Sequence, residues 1–191
     1  MTTYSTLEAI ADGVQSCQRC PLYQTATHGV PGEGNPNAEI MFVGEGPGFH
    51  EDRQGRPFVG AAGQFLDSML ADITLSRSDV FITNVVKHRP PANRDPEKTE
   101  IAACFIWLKL QIELIDPIII VTLGRHSMSV LLPGLGPISK IHGRAFRRVD
   151  GRVYVPFFHP AAGLHQESLK STIQADFRKL PKIIDLAKKG K

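Results

Sequence analysis

The run Ile118-Ile-Ile-Val121 constrains the fold of this chain more than any other stretch, because an unbroken apolar segment of this kind fits a strand covered on both faces. Such a strand needs helices above and below it, and the apolar periodicity on either side supplies them. A helix is expected at about Thr6–Ser16, a strand at Glu39–Val43, a helix at Gly60–Leu70 and a β-branched strand at Val80–Val85. Pro96–Leu114 reads as a long helix with Asp95 as its cap and Pro96 at its first position. The buried strand follows within Asp116–Leu123, and then a helix near Arg125–Leu132. Beyond Pro133–Gly136, the segments Arg144–Val149 and Arg152–Val155 flank Asp150-Gly151, a hairpin signal. Ser168–Leu186 closes as a helix that Pro181 should interrupt. Strands alternating with helices predict a three-layer α/β/α sandwich around a central, mainly parallel four-stranded sheet. The length of 191 residues suits one domain, residues 1–191.

No apolar run approaches the roughly 18 residues of a membrane span, and Met1–Ile10 lacks the basic-then-apolar order of a secretory signal. The expectation is a cytoplasmic protein with no membrane partner. A net charge of +3 is too small to name a nucleic-acid partner, so local clustering matters more. Basic residues gather in Lys87-His-Arg-Pro-Pro-Ala-Asn-Arg94 and in Lys140-Ile-His-Gly-Arg-Ala-Phe-Arg-Arg148. Either alone is compatible with a solvated surface, but both flank candidate site segments, which favours phosphate binding. Lys188, Lys189 and Lys191 read as a frayed helix end.

Those site segments lie at two strand ends. Gly44-Glu-Gly-Pro-Gly-Phe-His-Glu-Asp-Arg-Gln-Gly-Arg-Pro-Phe-Val-Gly60 sets carboxylates and phenylalanines in a glycine-rich loop just after an apolar strand. Val153-Tyr-Val-Pro-Phe-Phe-His-Pro-Ala-Ala162 delivers His159 onto a proline-marked turn. Acid, aromatic and imidazole at neighbouring strand ends point to a pocket at the carboxyl edge of the sheet. A nucleotide phosphate loop is disfavoured, since the Gly-Lys-Ser/Thr ending is absent after residues 44–48. The cysteines are Cys17, Cys20 and Cys104, and the Cys17-x-x-Cys20 spacing lets two thiolates converge on one metal centre. Cys104 reads either as a third donor or as a buried apolar cysteine. His88 reads either as a fourth donor or as part of a basic loop, and zinc and an iron-sulfur cluster are not separated by donor count.

Taken together, Cys17-Gln-Arg-Cys-Pro-Leu22, Gly44-Glu-Gly-Pro-Gly48, Glu51-Asp-Arg-Gln-Gly-Arg-Pro-Phe-Val-Gly60, Ile82-Thr-Asn-Val-Val-Lys87, Arg89-Pro-Pro-Ala-Asn-Arg-Asp-Pro96, Cys104 and His159-Pro-Ala-Ala162 resemble the family 4, iron-sulfur uracil-DNA glycosylases. The resemblance spans most of the chain and implies a uracil-DNA glycosylase-like fold with a cluster-binding segment at about residues 1–35. It implies a [4Fe-4S] cluster on Cys17, Cys20 and Cys104, with His88 standing where such enzymes usually carry the third of their four cysteines. Gly46 replaces an alanine common in the first motif, and Gly163 falls where a larger apolar residue is usual. Residues 89–103 hold no histidine and no insertion of the kind by which related family X enzymes trap DNA, so no covalent trap is expected.

The implied activity is hydrolysis of the N-glycosidic bond of uracil flipped out of single- or double-stranded DNA, by a monomer that leaves an abasic site. Phe58 takes the stacking role, against its alternative as a core phenylalanine. Asn84, otherwise an ordinary turn residue, offers donor and acceptor to the uracil O4 and N3–H edge. His159 donates to uracil O2 as negative charge builds there, and Glu45 positions the attacking water. Gly44 and Gly46 shape the substrate loop. Glu51 sits near the uracil C5 edge, whereas Asp52 is expected to brace the loop through Arg53 or Arg56. Leu164 enters the gap left by the base or else packs inside, with His165, Lys140, Arg144 and Lys170 near phosphates. Two alternatives stay open: a glycosylase for hypoxanthine or xanthine, and a metal-bearing nucleic-acid-binding module without catalysis.

Overall fold

The computed structural model describes residues 4–189. Helix α1 (Leu7–Gln15) is capped by the Thr6 hydroxyl, which accepts from Ala9 N, and it buries Ile10 and Val14. After a 3-10 turn at Pro21–Gln24 come the short strand β1 (Glu33–Gly34) and the fully buried β2 (Ile40–Gly44). Helices α2 (Phe49–Gln54) and α3 (Ala61–Asp72) lead to β3 (Phe81–Asn84), and α4 (Lys98–Ile115) leads to β4 (Ile119–Leu123). Then follow α5 (Arg125–Leu131), α6 (Ile138–Ile141), β5 (Phe146–Arg147) and β6 (Val153–Phe157). The chain ends in α7 (Pro160–His165), α8 (Glu167–Phe177) and α9 (Leu180–Lys189).

The sheet order is β1-β3-β2-β4-β6-β5, and β3, β2, β4 and β6 run parallel. Side chains alternate between the faces, as a strand requires. Ile40, Phe42, Val121 and Val155 join Leu66, Met69 and Phe177 on one face, while Met41, Val43 and Ile120 join Ile10, Trp107 and Leu108 on the other. The chain leaves β2 for β3 on one side and later crosses back to place β4 on the other side of β2. The carboxyl ends of β2 and β4 therefore flank the point where strand order reverses, the usual place for a ligand crevice in an open α/β sheet.

Several expectations need correction. The sheet has six strands, not four, because two-residue antiparallel strands pair at each edge: Glu33 with Ile82, and Phe146 with Tyr154. β1 is too short to carry a periodic pattern, whereas β5 lies within the expected hairpin arm Arg144–Val149. The long helix starts at Lys98 rather than Pro96, and its cap is Glu97 in a reciprocal box with Glu100. Glu100 is buried and held by both Arg94 Nη1 (2.9 Å) and Arg94 Nη2 (2.6 Å), which fixes the helix start two residues late and releases Asp95. The C-terminal helix is broken between α8 and α9, with Pro181 in the first turn of α9, where its missing N–H costs nothing. Lys188 and Lys189 end α9, while Lys191 lies outside the described residues.

Candidate functional site

A cavity of about 370 Å³ opens at the carboxyl edge of the sheet. Glu45, Gly46, Glu51, Phe58, Asn84 and His159 all line it, so loops separated by up to 114 positions (Glu45 to His159) meet at one place. Pro90, Asn93 and Arg94, from the basic stretch expected to flank the site, supply a further wall. Gly44 lies behind it. A Cβ there would collide with Asn84 Oδ1 and the Phe58 ring, so only glycine lets the two approach.

Asn84 ends β3 and is 1% exposed, yet its Oδ1 has no hydrogen-bond partner. Buried acceptors are nearly always satisfied, and an unpaired one on a cavity wall marks a place where a ligand donor belongs. Its backbone is anchored from behind by Lys87, which is fully buried and whose Nζ donates to Asn84 O (2.8 Å), Thr83 Oγ1 (2.6 Å) and Gln111 Oε1 (2.7 Å). Those acceptors match the three N–H bonds of an ammonium group, while burial pulls its pKa down to about 7.

Phe58 sits in a loop fixed from two sides. It has a positive φ of 52°, a conformation uncommon outside glycine. From within, Glu51 Oε1 accepts from Val59 N (2.8 Å) and Gly60 N (2.9 Å). From without, Arg77 donates to the carbonyls of Pro57 (3.0 Å) and Phe58, and is itself held by Glu33 and Asp67. The ring stacks toward His159, with centroids 5.6 Å apart and planes 28° from parallel. Glu51 thus lines the cavity and also braces the aromatic wall. Its neighbour Asp52 faces the other way. It does not brace the loop through Arg53 or Arg56; buried, it accepts from Thr27 N (2.8 Å), Thr27 Oγ1 (3.0 Å) and His28 N (3.3 Å). Arg56 is drawn off by Glu33 at 2.7 Å.

His159 caps α7, its Nδ1 accepting from Ala161 N at 3.2 Å. An accepting Nδ1 leaves the proton on Nε2, so the neutral ring is a donor. Burial holds its pKa down at about 4, with Glu51 opposing weakly. Glu45 follows β2 and is half-buried; burial raises its carboxyl above the usual range, while His126 and Arg125 pull it back.

Beyond the same carboxyl end of β3 lies His88, and Cys17, Cys20 and Cys104 sit close enough together for their charges to act on one another. Lys87 N donates to Cys104 Sγ (3.2 Å), and Trp107 Nε1 donates to Cys17 Sγ (3.2 Å). Donors aimed at sulfur stabilise thiolate, the form that binds metal. Without metal, burial pushes the Cys104 thiol up to about 11 and raises Cys20 as well. His88 is 5% exposed, its pKa lowered by burial, and it shares a small cavity with Cys17. A single tetrahedral zinc at ~2.3 Å from each sulfur wants donors roughly 4 Å apart. Among the described residues, no three of these four bring ligand atoms within 4.8 Å of one another. Three thiols and an imidazole form a donor set that suits either zinc or an iron-sulfur group.

The remaining residues singled out for DNA lie outside the cavity. Leu164 and His165 end α7, with Leu164 44% exposed rather than packed inside. Lys140 in α6 and Arg144 beyond it are exposed, Arg144 lying over the Phe146 ring at 5.8 Å.

Comparison with known proteins bears on all of this. The family model described as the uracil DNA glycosylase superfamily matches residues 31–180. The chain is 50% identical over 182 residues to the type-4 uracil-DNA glycosylase of Sulfurisphaera tokodaii, covering 91% of this chain and 83% of that protein. It is 43% identical over 185 residues to the Archaeoglobus fulgidus protein of the same name, covering 91% of each. The type-5 uracil-DNA glycosylase of Thermus thermophilus is 34% identical over 149 residues, 68% of each chain.

Proposed function

Since the chain belongs to the type-4 uracil-DNA glycosylases of the uracil-DNA glycosylase superfamily, we propose that it excises uracil from DNA by the route its cavity residues define. The observation that carries the assignment of roles is the unpartnered Asn84 Oδ1 in a cavity it shares with Phe58, Glu45 and His159. Uracil offers a donor at N3–H and an acceptor at O4, so one amide satisfies both; cytosine presents the reverse pattern and leaves a buried group unpaired. A mismatch of that kind discriminates strongly, because the penalty falls on a desolvated site.

Extrusion of the base costs a few kcal/mol, and stacking on Phe58 offsets part of it. Bond cleavage then places negative charge on the leaving uracil and positive charge on the sugar. His159, neutral and donating through Nε2, stabilises the first at O2 without bringing a full positive charge into the cavity. Glu45 orients the water that attacks the sugar, and its raised pKa makes it a better proton acceptor than an exposed carboxylate. Glu51 keeps the aromatic wall in place and faces the C5 edge, where a thymine methyl would intrude. Lys140, Arg144, Leu164 and His165 meet the strand outside the cavity.

Cys17, Cys20, His88 and Cys104 would hold a [4Fe-4S] cluster. When bound, the cluster supplies a crosslink between the N-terminal turn, the end of β3 and α4. The test is incubation of purified protein with matched oligonucleotides carrying uracil, thymine, cytosine, hypoxanthine or xanthine, followed by alkaline cleavage at abasic sites. Uracil strands are cut and thymine and cytosine strands are not. Excision of none of the bases would leave a non-catalytic binder, and preference for a purine would overturn the role given to Asn84. Iron and sulfide analysis of the same preparation tests the cluster separately.

A further inference from the structure

Each parallel strand ends near the cavity with a side chain capable of chemistry. Glu45 follows β2, Asn84 ends β3, His126 follows β4 and His159 follows β6. His126 alone has no part in the scheme above. Its Nε2 stands 3.1 Å from Asp95 Oδ2 and 3.7 Å from Glu45 Oε2. Arg125 closes the group, its Nη2 reaching Asp95 Oδ2 at 3.2 Å; its Nε lies 2.9 Å from the same imidazole nitrogen and donates to it only while the ring is neutral, so a protonated ring donates its Nε2–H to Asp95 instead. Glu45, Asp95, His126 and His159 line a second cavity of about 280 Å³, and Glu45 and His159 belong to both cavities. Asp95 is free for this contact because Glu97 has taken over the helix cap.

We propose that His126 is a positioning residue for base excision: held by Asp95, its protonated imidazole keeps the Glu45 carboxylate charged and aimed at the attacking water. The proposal rests on the role given to Glu45 above. A half-buried carboxylate tends to take up a proton and then loses its pull on water, whereas a cation a few ångströms away opposes that uptake. On Glu45 the contributions run in that sense, with burial and Asp95 raising its pKa and His126 and Arg125 lowering it. The other charged or titratable groups on its cavity are Glu51, Arg94 and His159. Glu45, Asp95 and His126 also bring ligand atoms within 4.8 Å of one another, as a cation site would. The Arg125 guanidinium already stands against both Asp95 and His126, so the chain provides its own counter-charge there.

The test is the pH dependence of single-turnover uracil release, from about pH 4.5 to 9, for wild type, His126→Ala, Asp95→Asn, Glu45→Gln and the Glu45→Gln/His126→Ala pair. In His126→Ala the acid limb moves to higher pH by about one unit. In Asp95→Asn it moves to lower pH, because a like charge has gone. The high-pH plateau of His126→Ala drops about three- to tenfold through lost aim, and the affinity for uracil-free oligonucleotide is unchanged. In Glu45→Gln the limb is lost, and adding His126→Ala changes nothing more. A limb that stays in place in His126→Ala overturns the proposal, whatever Asp95→Asn does, and leaves Glu45 in its role. A Glu45→Gln protein with wild-type rate and limb overturns the assignment beneath it instead. Asp95 is exposed, so Asp95→Asn reports on the limb even where His126→Ala lowers the melting temperature.

Discussion

Phe58 and Leu164 are both large apolar residues close to the base cavity, and the protein treats them in opposite ways. Phe58 is 5% exposed, with Glu51 holding its loop from within and Arg77 from without. Leu164 is 44% exposed near the end of the short helix α7. The polar groups divide in the same manner. Asn84 is buried and anchored by Lys87, while Lys140 and Arg144 extend into solvent. Groups that read a base are ordered before the base arrives, so little rotamer entropy is lost on binding. Groups that meet a flexible polyanion need charge and reach more than a fixed pose.

Substitutions on either side of that division sharpen or break it. The largest effect is expected for His159→Ala: single-turnover excision falls by ~10²–10³-fold while oligonucleotide affinity changes less than about twofold. An equal loss of affinity, read by fluorescence anisotropy, would erase the distinction between the two regions. Acid is next. The His159 pKa is about 4 in the folded protein against an ordinary 6.5, so the unfolded chain takes up the proton first. Its contribution is complete above pH 6.5 and is lost as the pH falls towards 4, by up to roughly 3 kcal/mol. Thermal melts across that window should therefore show a shallower pH slope in His159→Asn. Arg77→Ala removes the outer clamp on Phe58 without touching the cavity, and about a tenfold fall in excision rate is expected. If Leu164→Ala had the larger effect on that rate, pre-ordering of the wall would not be what matters. Smallest of all, Lys140→Ala and Arg144→Ala should each weaken DNA binding about threefold near 0.1 M salt and flatten its salt dependence, with the rate from saturated complex unchanged.

The sheet centre was legible because the run Ile118–Val121, which enters β4, is apolar without interruption, as a strand buried on both faces requires. The edge strand β5 was legible as one arm of the hairpin around Asp150-Gly151, but β1 was not, since Glu33-Gly34 acquires its conformation only from β3 beside it. Glu45, Phe58, Asn84 and His159 stood out at strand ends among glycines and prolines, and they do meet in one cavity. His126 sat in a stretch that reads as an ordinary helix start, and Asp95 read as that of another. Their pairing spans 31 positions (Asp95 to His126) and exists only in three dimensions. Arg77 was hidden for the same reason, its partners Glu33 in β1 and Pro57 in the loop before α3 being far apart in sequence. Lys87 looked like one of several surface cations until its burial was seen.

Glu51 and Asp52 are successive residues on α2, turned about 100° from each other around the axis, and one secures the aromatic wall while the other secures the Thr27–His28 turn. A single inserted or deleted residue between Gly48 and Gly55 would rotate at least one of the two away from its partners. This helix acts as a ruler: its length is under as strict a constraint as the identity of any residue in it, and natural variation in the segment should be by substitution alone.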